Sequence, residues 1–305
     1  MTPEKAPVTR MYSRGIIINQ NYQDILEKTN LAGFDDLYNY PFGKTLKRIP
    51  ERRVIRFELP WQGRRRVFYL KRHETESPDI GALARIGIRR AGASSGMTEF
   101  ENLCDFRQHG LATVTPVAAG ERRVGMFKYR SFLVTESFEP YIALEQLMEL
   151  HPNRLRGETG SHYKRKLIEA VAKTARRMHE AGANHRDFNA THVLVGPEAA
   201  DGLPKIALFD LQRVDRRRWQ RFRWMVKTLA ELNYTLPETL FSKEDRLKLL
   251  MDYKGVNRLS LWSRFQLCWI MKKIERIRRH TLKNRIRREK AGHQEGKSAK
   301  DGTAL

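Results

Sequence analysis

Apolar and polar positions alternate in strand-like runs over the first part of the chain and recur every three or four residues over the second. Residues 1 to 40 are mixed, with a short helix predicted around Asp24 to Asn30. From Thr45 the texture is strand-like. Val54-Ile55-Arg56-Phe57-Glu58-Leu59 and Arg66-Val67-Phe68-Tyr69-Leu70-Lys71 flank the turn residues Pro60-Trp61-Gln62-Gly63, which reads as a hairpin. Residues 80 to 96, with Gly81, Gly87, Gly92 and Gly96, read as a loop with a short basic helix. Met97 to His109 reads as a helix with Phe100, Leu103, Cys104 and Phe106 on its apolar side. Strands follow around Thr115 to Gly120 and Phe132 to Thr135. After Pro140 the spacing predicts helices over Ile142 to Leu150 and Tyr163 to Ala181, the second stopped by Gly182. Two short strands come next, Val193-Leu194-Val195 and Ile206-Ala207-Leu208-Phe209. Helices then fill most of the chain to about Lys290, and the last fifteen residues, polar and glycine-containing, read as disordered.

Strands with one helix, then helices with one small hairpin, predict an α+β chain of two lobes with a protein-kinase-like outline. The implied boundaries are an N-terminal extension at 1–40, a β-rich N-lobe at 41–138, a mainly helical C-lobe at 139–290 and a tail at 291–305. The 305 residues can bury a substantial core. There is no apolar run of about 18 residues, so no transmembrane helix is expected. Met1 to Arg14 lacks the apolar core of a signal peptide. The two cysteines, Cys104 and Cys268, have neither metal nor disulfide spacing and read as buried thilols of a reducing cytoplasm.

Charge narrows the partners. The chain has 58 Lys and Arg against 35 Asp and Glu, a formal +23. Such a field favours nucleic acid, anionic lipid, phosphorylated sugar or an acidic protein. No RNA- or DNA-binding module is recognisable, which makes nucleic acid the least favoured.

The chemistry sits in His185-Arg186-Asp187-Phe188-Asn189-Ala190-Thr191-His192, between a helix and a short strand. Phosphoryl transfer needs a carboxylate to accept the proton of the attacking hydroxyl, and metal ligands at the phosphates. The catalytic-loop pattern H-R-D-x-x-x-x-N supplies both, and here Arg186 and the base candidate Asp187 match while His192 stands where Asn is expected. A second strand ends in Asp210, followed by Leu211 and Gln212, where kinases place the magnesium-binding D-F-G. Lys71 ends a strand at the position of the lysine that contacts the α- and β-phosphates of ATP. Its pairing candidates are Glu99 first and Glu101 second, which periodicity does not separate. Adenine would sit against backbone groups near Val134-Thr135-Glu136. No G-x-G-x-x-G precedes Lys71, and between Phe42 and Lys71 the glycines are Gly43 and Gly63 alone. The phosphate-covering loop therefore falls to the turn near Arg48 to Arg53, whose basic side chains can partly replace backbone amides.

His-Arg-Asp with His192 five residues on, Phe209-Asp210-Leu211-Gln212-Arg213, Tyr69-Leu70-Lys71-Arg72 and Glu99-Phe100 through Leu103 together resemble the lipopolysaccharide kinase family, which includes core heptose kinases and Kdo kinases. The resemblance spans roughly residues 50 to 255. It implies Asp187 as base, Asp210 and His192 on the metal side, Lys71 as phosphate lysine and Glu99 as its partner, with ATP and Mg²⁺. It further implies a lipopolysaccharide core sugar as acceptor, heptose or Kdo, and work at the cytoplasmic face of the inner membrane. The chain departs from the family at Lys227-Thr228-Leu229-Ala230, where K-D-L-A is usual. Two rivals stand beside this reading: a protein or small-molecule kinase on the same scaffold, and a catalytically silent ATP-binding protein.

Two basic stretches remain. Arg213, Arg216, Arg217, Arg218, Arg221 and Arg223 follow Asp210 and are candidates for binding the acceptor's phosphates and carboxylates. From Arg264 to Lys290 there are eleven Lys or Arg and two Glu, with Trp262, Phe265, Trp269, Ile270, Ile274 and Ile277 roughly at helical spacing. That helix reads either as an interfacial element on an anionic membrane or as a helix packed on the C-lobe with a wet basic face.

Overall fold

The computed structural model describes residues 8–13, 15–76, 94–125, 128–216 and 218–301. The loop expected over residues 80 to 96 lies outside them except for Ser94, Ser95 and Gly96.

Among the described residues the N-terminal lobe is one antiparallel sheet. Its strands are β1 (Arg10–Ser13), β2 (Ile16–Asn19), β3 (Lys44–Ile49), β4 (Arg52–Trp61), β5 (Arg64–Glu76), β6 (Pro116–Gly125) and β7 (Lys128–Glu136), in the order β1-β2-β6-β7-β5-β4-β3. The predicted hairpin is β4–β5, turned by Gln62 and Gly63, both at positive φ as a tight two-residue turn requires. Alternation gives the sheet two apolar faces. Ile17, Ala119 and Leu133 face the helix α3 defined below and the central core. Ile16, Ile18, Ile55, Phe57, Phe68, Leu70, Phe132 and Val134 form the opposite face.

That second face needs a cover, and the first forty residues supply it. Helices α1 (Gln23–Lys28) and α2 (Phe34–Tyr38) bury Ile25, Leu26, Phe34 and Leu37 against it. The segment read as an extension is thus part of the lobe, contributing two strands and two helices. The run Ile16-Ile17-Ile18, buried throughout, is the mark of a strand covered on both sides.

Helix α3 (Ser95–Gln108) opens with Ser94 accepting from the Met97 N–H. It buries Phe100, Leu103, Cys104 and Phe106 as the spacing predicts. Gly96 lets it lie directly on β7: a Cβ there would come within 2.5 Å of the Phe132 carbonyl oxygen.

The C-terminal lobe follows as β8 (Ile142–Ala143), α4 (Leu144–Leu150), α5 (Gly157–Glu180), β9 (Asn184–His185), β10 (Val193–Glu198), β11 (Pro204–Leu208), β12 (Val214–Asp215), α6 (Arg221–Thr235), α7 (Lys243–Lys254) and α8 (Leu261–Asp301). Leu167, Val171, Ala175 and Met178, three or four residues apart on α5, line the main core. Helix α8 divides its surface. Ile270 and Ile274 enter the core, whereas Trp262, Phe265 and Trp269 stay outside. It also runs through residues 291–301, which composition marked as disordered; that stretch has no proline to interrupt the helix. Cys104 is buried as expected, but Cys268 is exposed on α8.

The N-terminal cover is testable. Leu37 is fully buried in the outer-face cluster. Leu37→Ala is expected to destabilise the protein by about 2–5 kcal/mol, read as a lower midpoint in chemical denaturation. A midpoint equal to wild type would mean that residues 10–38 do not contribute to the lobe's core.

Candidate active site

Lys71 leaves β5 on the face that looks toward the C-terminal lobe. Its Nζ lies 2.9 and 2.8 Å from the Glu99 carboxylate oxygens on α3 and 2.9 Å from Asp210 Oδ1, just beyond β11. Geometry thus separates the two pairing candidates, and Glu99 is the partner. The Lys71 side chain is 16% exposed and that of Glu99 3%. Burial works against the charge on Lys71, but the two carboxylates more than compensate and raise its pKa. Burial likewise opposes ionisation of Asp210, yet Lys71, His192 and Arg52 hold its pKa down to about 2.

Asp210 has φ +56, in the left-handed region that Asp tolerates better than most residues. This bend at the strand end points its carboxylate back toward Lys71. The segment beyond it is tied down on both sides. Asn102 Nδ2 donates to the Leu211 carbonyl at 2.7 Å, and Arg216 reaches Asp105 at 2.5 Å and Asn102 at 2.9 Å. Arg216, a candidate for the acceptor, is therefore engaged with α3, because two acceptors on that helix match its guanidinium fork. Arg217 lies outside the described residues.

The loop bearing Asp187 is held from three directions. Asn184 and His185 ladder with Asp215 and Val214, and the Arg186 N–H donates to the Arg213 carbonyl at 2.9 Å. Arg213 Nη1 contacts both Asp187 carboxylate oxygens, at 3.1 and 3.4 Å. Arg186 itself approaches Asp215 at 4.0 Å. Phe188 and Leu211 are fully buried and anchor the two segments.

His192 links the two acids. Its Nδ1 donates to the Asp187 carbonyl at 2.9 Å, so in the neutral ring Nε2 carries a lone pair, 3.5 Å from Asp210 Oδ2. Two lone-pair donors facing each other suit a cation between them. The described residues contain no cluster of three or more His, Cys, Asp or Glu. The imidazole nitrogen is the unusual member, since Mg²⁺ prefers oxygen.

Sequence reasoning missed the support beneath the loop. Thr228 on α6, where the related pattern has Asp, donates its hydroxyl to Asn184 Oδ1 at 2.9 Å. His179 on α5 donates through Nε2 to the same oxygen at 3.1 Å and accepts from the Tyr253 hydroxyl at 2.7 Å. No signal in a single sequence joins residues this far apart, although the departure at Thr228 marked the position.

The chain is similar to known proteins over most of its length. Residues 65–253 match the model of the lipopolysaccharide kinase (Kdo/WaaP) family. The lipopolysaccharide core heptose(I) kinase WaaP of Pseudomonas aeruginosa is 28% identical over 77% of this chain and 86% of its own length. The protein of the same description from Escherichia coli K12 is 30% identical over 78% of this chain and 89% of its own. A solved structure described as WaaP in complex with acyl carrier protein covers 86% of this chain and 98% of that one, with 26% identity and a TM-score of 0.61.

Protonation of the buried imidazoles gives a measurable consequence. Burial lowers His179 to about 4 and His185 to about 3, so both are neutral in the folded state at pH 5. The unfolded chain binds protons there with an ordinary pKa of about 6.5. Their contribution to stability is complete above about pH 6.5 and is lost as pH falls toward the folded values, with a slope of about 1.4 kcal/mol per pH unit for each imidazole. Denaturant midpoints should therefore drop from pH 7 to pH 5. Stability independent of pH across that window would show that the two rings are not held neutral.

Proposed function

The chain belongs to the lipopolysaccharide kinase (Kdo/WaaP) family, and on that premise we propose that it transfers the γ-phosphoryl group of ATP to a heptose hydroxyl of the lipopolysaccharide inner core. The observation that carries this reading is the convergence on one cleft of Lys71, Glu99 and Asp210, with Asp187 on the neighbouring loop. The heptose acceptor is the one named for the relatives from Pseudomonas aeruginosa and Escherichia coli.

In this mechanism Asp187 accepts the proton of the attacking hydroxyl as the new P–O bond forms and the bond to the β-phosphate oxygen breaks. Arg213, gripping both carboxylate oxygens, fixes the direction of that proton transfer. Lys71, kept charged by Glu99 and Asp210, binds the α- and β-phosphates. Asp210 and His192 would hold Mg²⁺, which when bound neutralises charge on the phosphates. In this reading the turn between β3 and β4 covers the triphosphate, and Arg213, beside Asp187, meets the acidic acceptor.

Attachment to an anionic membrane belongs to the same proposal. Among the described residues no helix is long and apolar enough to cross a membrane. Helix α8 instead presents Trp262, Phe265 and Trp269, which are 58%, 47% and 46% exposed. Their rings adjoin one another and Phe222 of α6. Steps of three or four residues carry the same stripe on to Lys272, Arg276 and Lys283, while Glu275 falls on another side. Exposed tryptophans followed by cations match the headgroup region of an anionic bilayer at the cytoplasmic face of the inner membrane.

Two experiments test these statements. Asp187→Asn should lower phosphoryl transfer on the order of 10²–10⁴-fold while ATP affinity, measured by calorimetry, stays near wild type; transfer at wild-type rate removes Asp187 as the base. For the membrane, Trp262→Ser with Trp269→Ser and, separately, Lys272→Glu with Arg276→Glu and Lys283→Glu should each abolish sedimentation with anionic vesicles. Each basic residue near such a surface contributes about 1 kcal/mol, screened over roughly 8–10 Å, so added salt should mimic the charge variant. Wild type that ignores vesicles but binds an acidic acyl carrier protein would reassign the stripe.

A further inference from the structure

One component of the nucleotide site is still without a residue: the group that covers the triphosphate from the N-terminal lobe. A glycine-rich loop does this with backbone N–H groups, because the absence of side chains lets it come close. The turn between β3 and β4 is built otherwise. Pro50 in its middle has no N–H, Glu51 beside it is an exposed anion, and the Glu51 carbonyl accepts from the Glu74 N–H at 3.1 Å. We propose that Arg52 binds the phosphates of ATP from above, replacing the missing glycine loop with one guanidinium. This inference rests on the reading of the chain as an ATP-dependent kinase.

The sheet register selects Arg52 from its neighbours. In the β4–β5 ladder Val54 lies opposite Lys71 and Arg52 opposite His73. Cross-strand partners share a face, and so do residues two apart. Arg52 and Lys71 therefore stand on the same, cleft-facing side, about 7 Å apart along the strands. Ile55 and Phe57 point the other way, into the core under α1 and α2. So do the other arginines at this end of the sheet. Arg53, opposite Arg72 and Arg48 in the ladders, lines with Arg48 and Glu74 a cavity of about 460 Å³ on the outer side. Arg72 donates to the Tyr40 carbonyl.

The Arg52 side chain is also chemically ready for an anion. Its Nε is shut off from solvent and has no hydrogen-bond partner among the described residues, where no carboxylate lies within ion-pair distance of it. A guanidinium N–H left in that state costs free energy until something accepts from it. Arginine's planar fork fits two phosphate oxygens at once, which a lysine in this place could not do.

The prediction separates phosphate binding from everything else the nucleotide touches. Full-length wild type, Arg52→Gln, Arg52→Lys and Arg53→Gln are titrated calorimetrically with adenosine, ADP and a non-hydrolysable ATP analogue in the presence of Mg²⁺. Arg52→Gln should weaken the ATP analogue about tenfold to a hundredfold, the loss of one or two charge-assisted hydrogen bonds, and leave adenosine unchanged. Arg52→Lys should fall between, and Arg53→Gln, on the opposite face, should match wild type. An ATP analogue bound by Arg52→Gln within about twofold of wild type would overturn the assignment, as would an equal loss of adenosine, which would mark Arg52 as structural. Wild type that binds no adenine nucleotide would overturn the kinase reading and this inference together; a loss confined to Arg52→Gln cannot be confused with that outcome.

Discussion

A buried lysine held between two carboxylates is the constraint around which this protein is arranged. Lys71 comes from the sheet, Glu99 from the helix packed on it, and Asp210 from the other lobe, 139 residues along the chain from Lys71. Taking one cation and two anions from water is costly, and the triad is tolerable only while all three stay within hydrogen-bond reach. The surrounding structure secures that. Gly96 allows α3 to lie against β7, and Asn102 on α3 holds the Leu211 carbonyl beside Asp210. The closed triad carries one net negative charge, so a nucleotide with its own cation is the natural complement to the cleft. Lys71 and Glu99 belong to one lobe and Asp210 to the other, so parting the lobes would break the Lys71–Asp210 contact and leave the Lys71–Glu99 pair.

The catalytic loop is supported by different means. Beneath it lies a neutral network, Tyr253 to His179 to Asn184 with Thr228 joining at the same oxygen. An aspartate at position 228 would put a buried anion against the Asn184 oxygen. Threonine gives a hydrogen-bond donor without that charge, and the imidazole of His179 is kept neutral by burial, which suits it to pass a single direction of hydrogen bonding along the chain. The loop is therefore held by uncharged hydrogen bonds from below, while on its other side Arg213 balances the charge of Asp187.

How far sequence went follows from which interactions are local. His185-Arg186-Asp187 and the strand-ending Asp210 were legible because each sits in a short run whose neighbours fix its backbone. Lys71 was legible by its place in the order of elements. Glu99 could not be separated from Glu101 by periodicity, since a helix of 14 residues with a mixed surface leaves its rotation open; contact with Lys71 decides it. Arg216 was read with the arginines that follow Asp210, but its fork is filled by Asp105 and Asn102, more than a hundred residues earlier. Residues 10–38 were set apart because the alternation of β4 and β5 announces a sheet without revealing that both its faces are apolar. The three consecutive isoleucines were the local sign of a doubly covered strand.

Helix α8 packs on the C-terminal lobe, as one of the two readings of a basic amphipathic helix had it, and still leaves an aromatic stripe exposed. A helix has room for more than one stripe. Here Ile270 and Ile274 lie on one side and join the core, while Trp262, Phe265 and Trp269 lie about a quarter turn or more away and remain in solvent. Packing fixes the rotation of the helix on the lobe, and that rotation decides which side chains are left outside. An aromatic and basic stripe held at a fixed angle can orient the whole protein at a surface, which a mobile basic tail could not do. Phe222, at the start of α6, stands within this aromatic cluster, between Arg221 and Arg223 of the arginines that follow Asp210. The packing that fixes α8 thus sets an exposed aromatic cluster next to two exposed arginines, Arg221 and Arg223, that flank Phe222 in the chain.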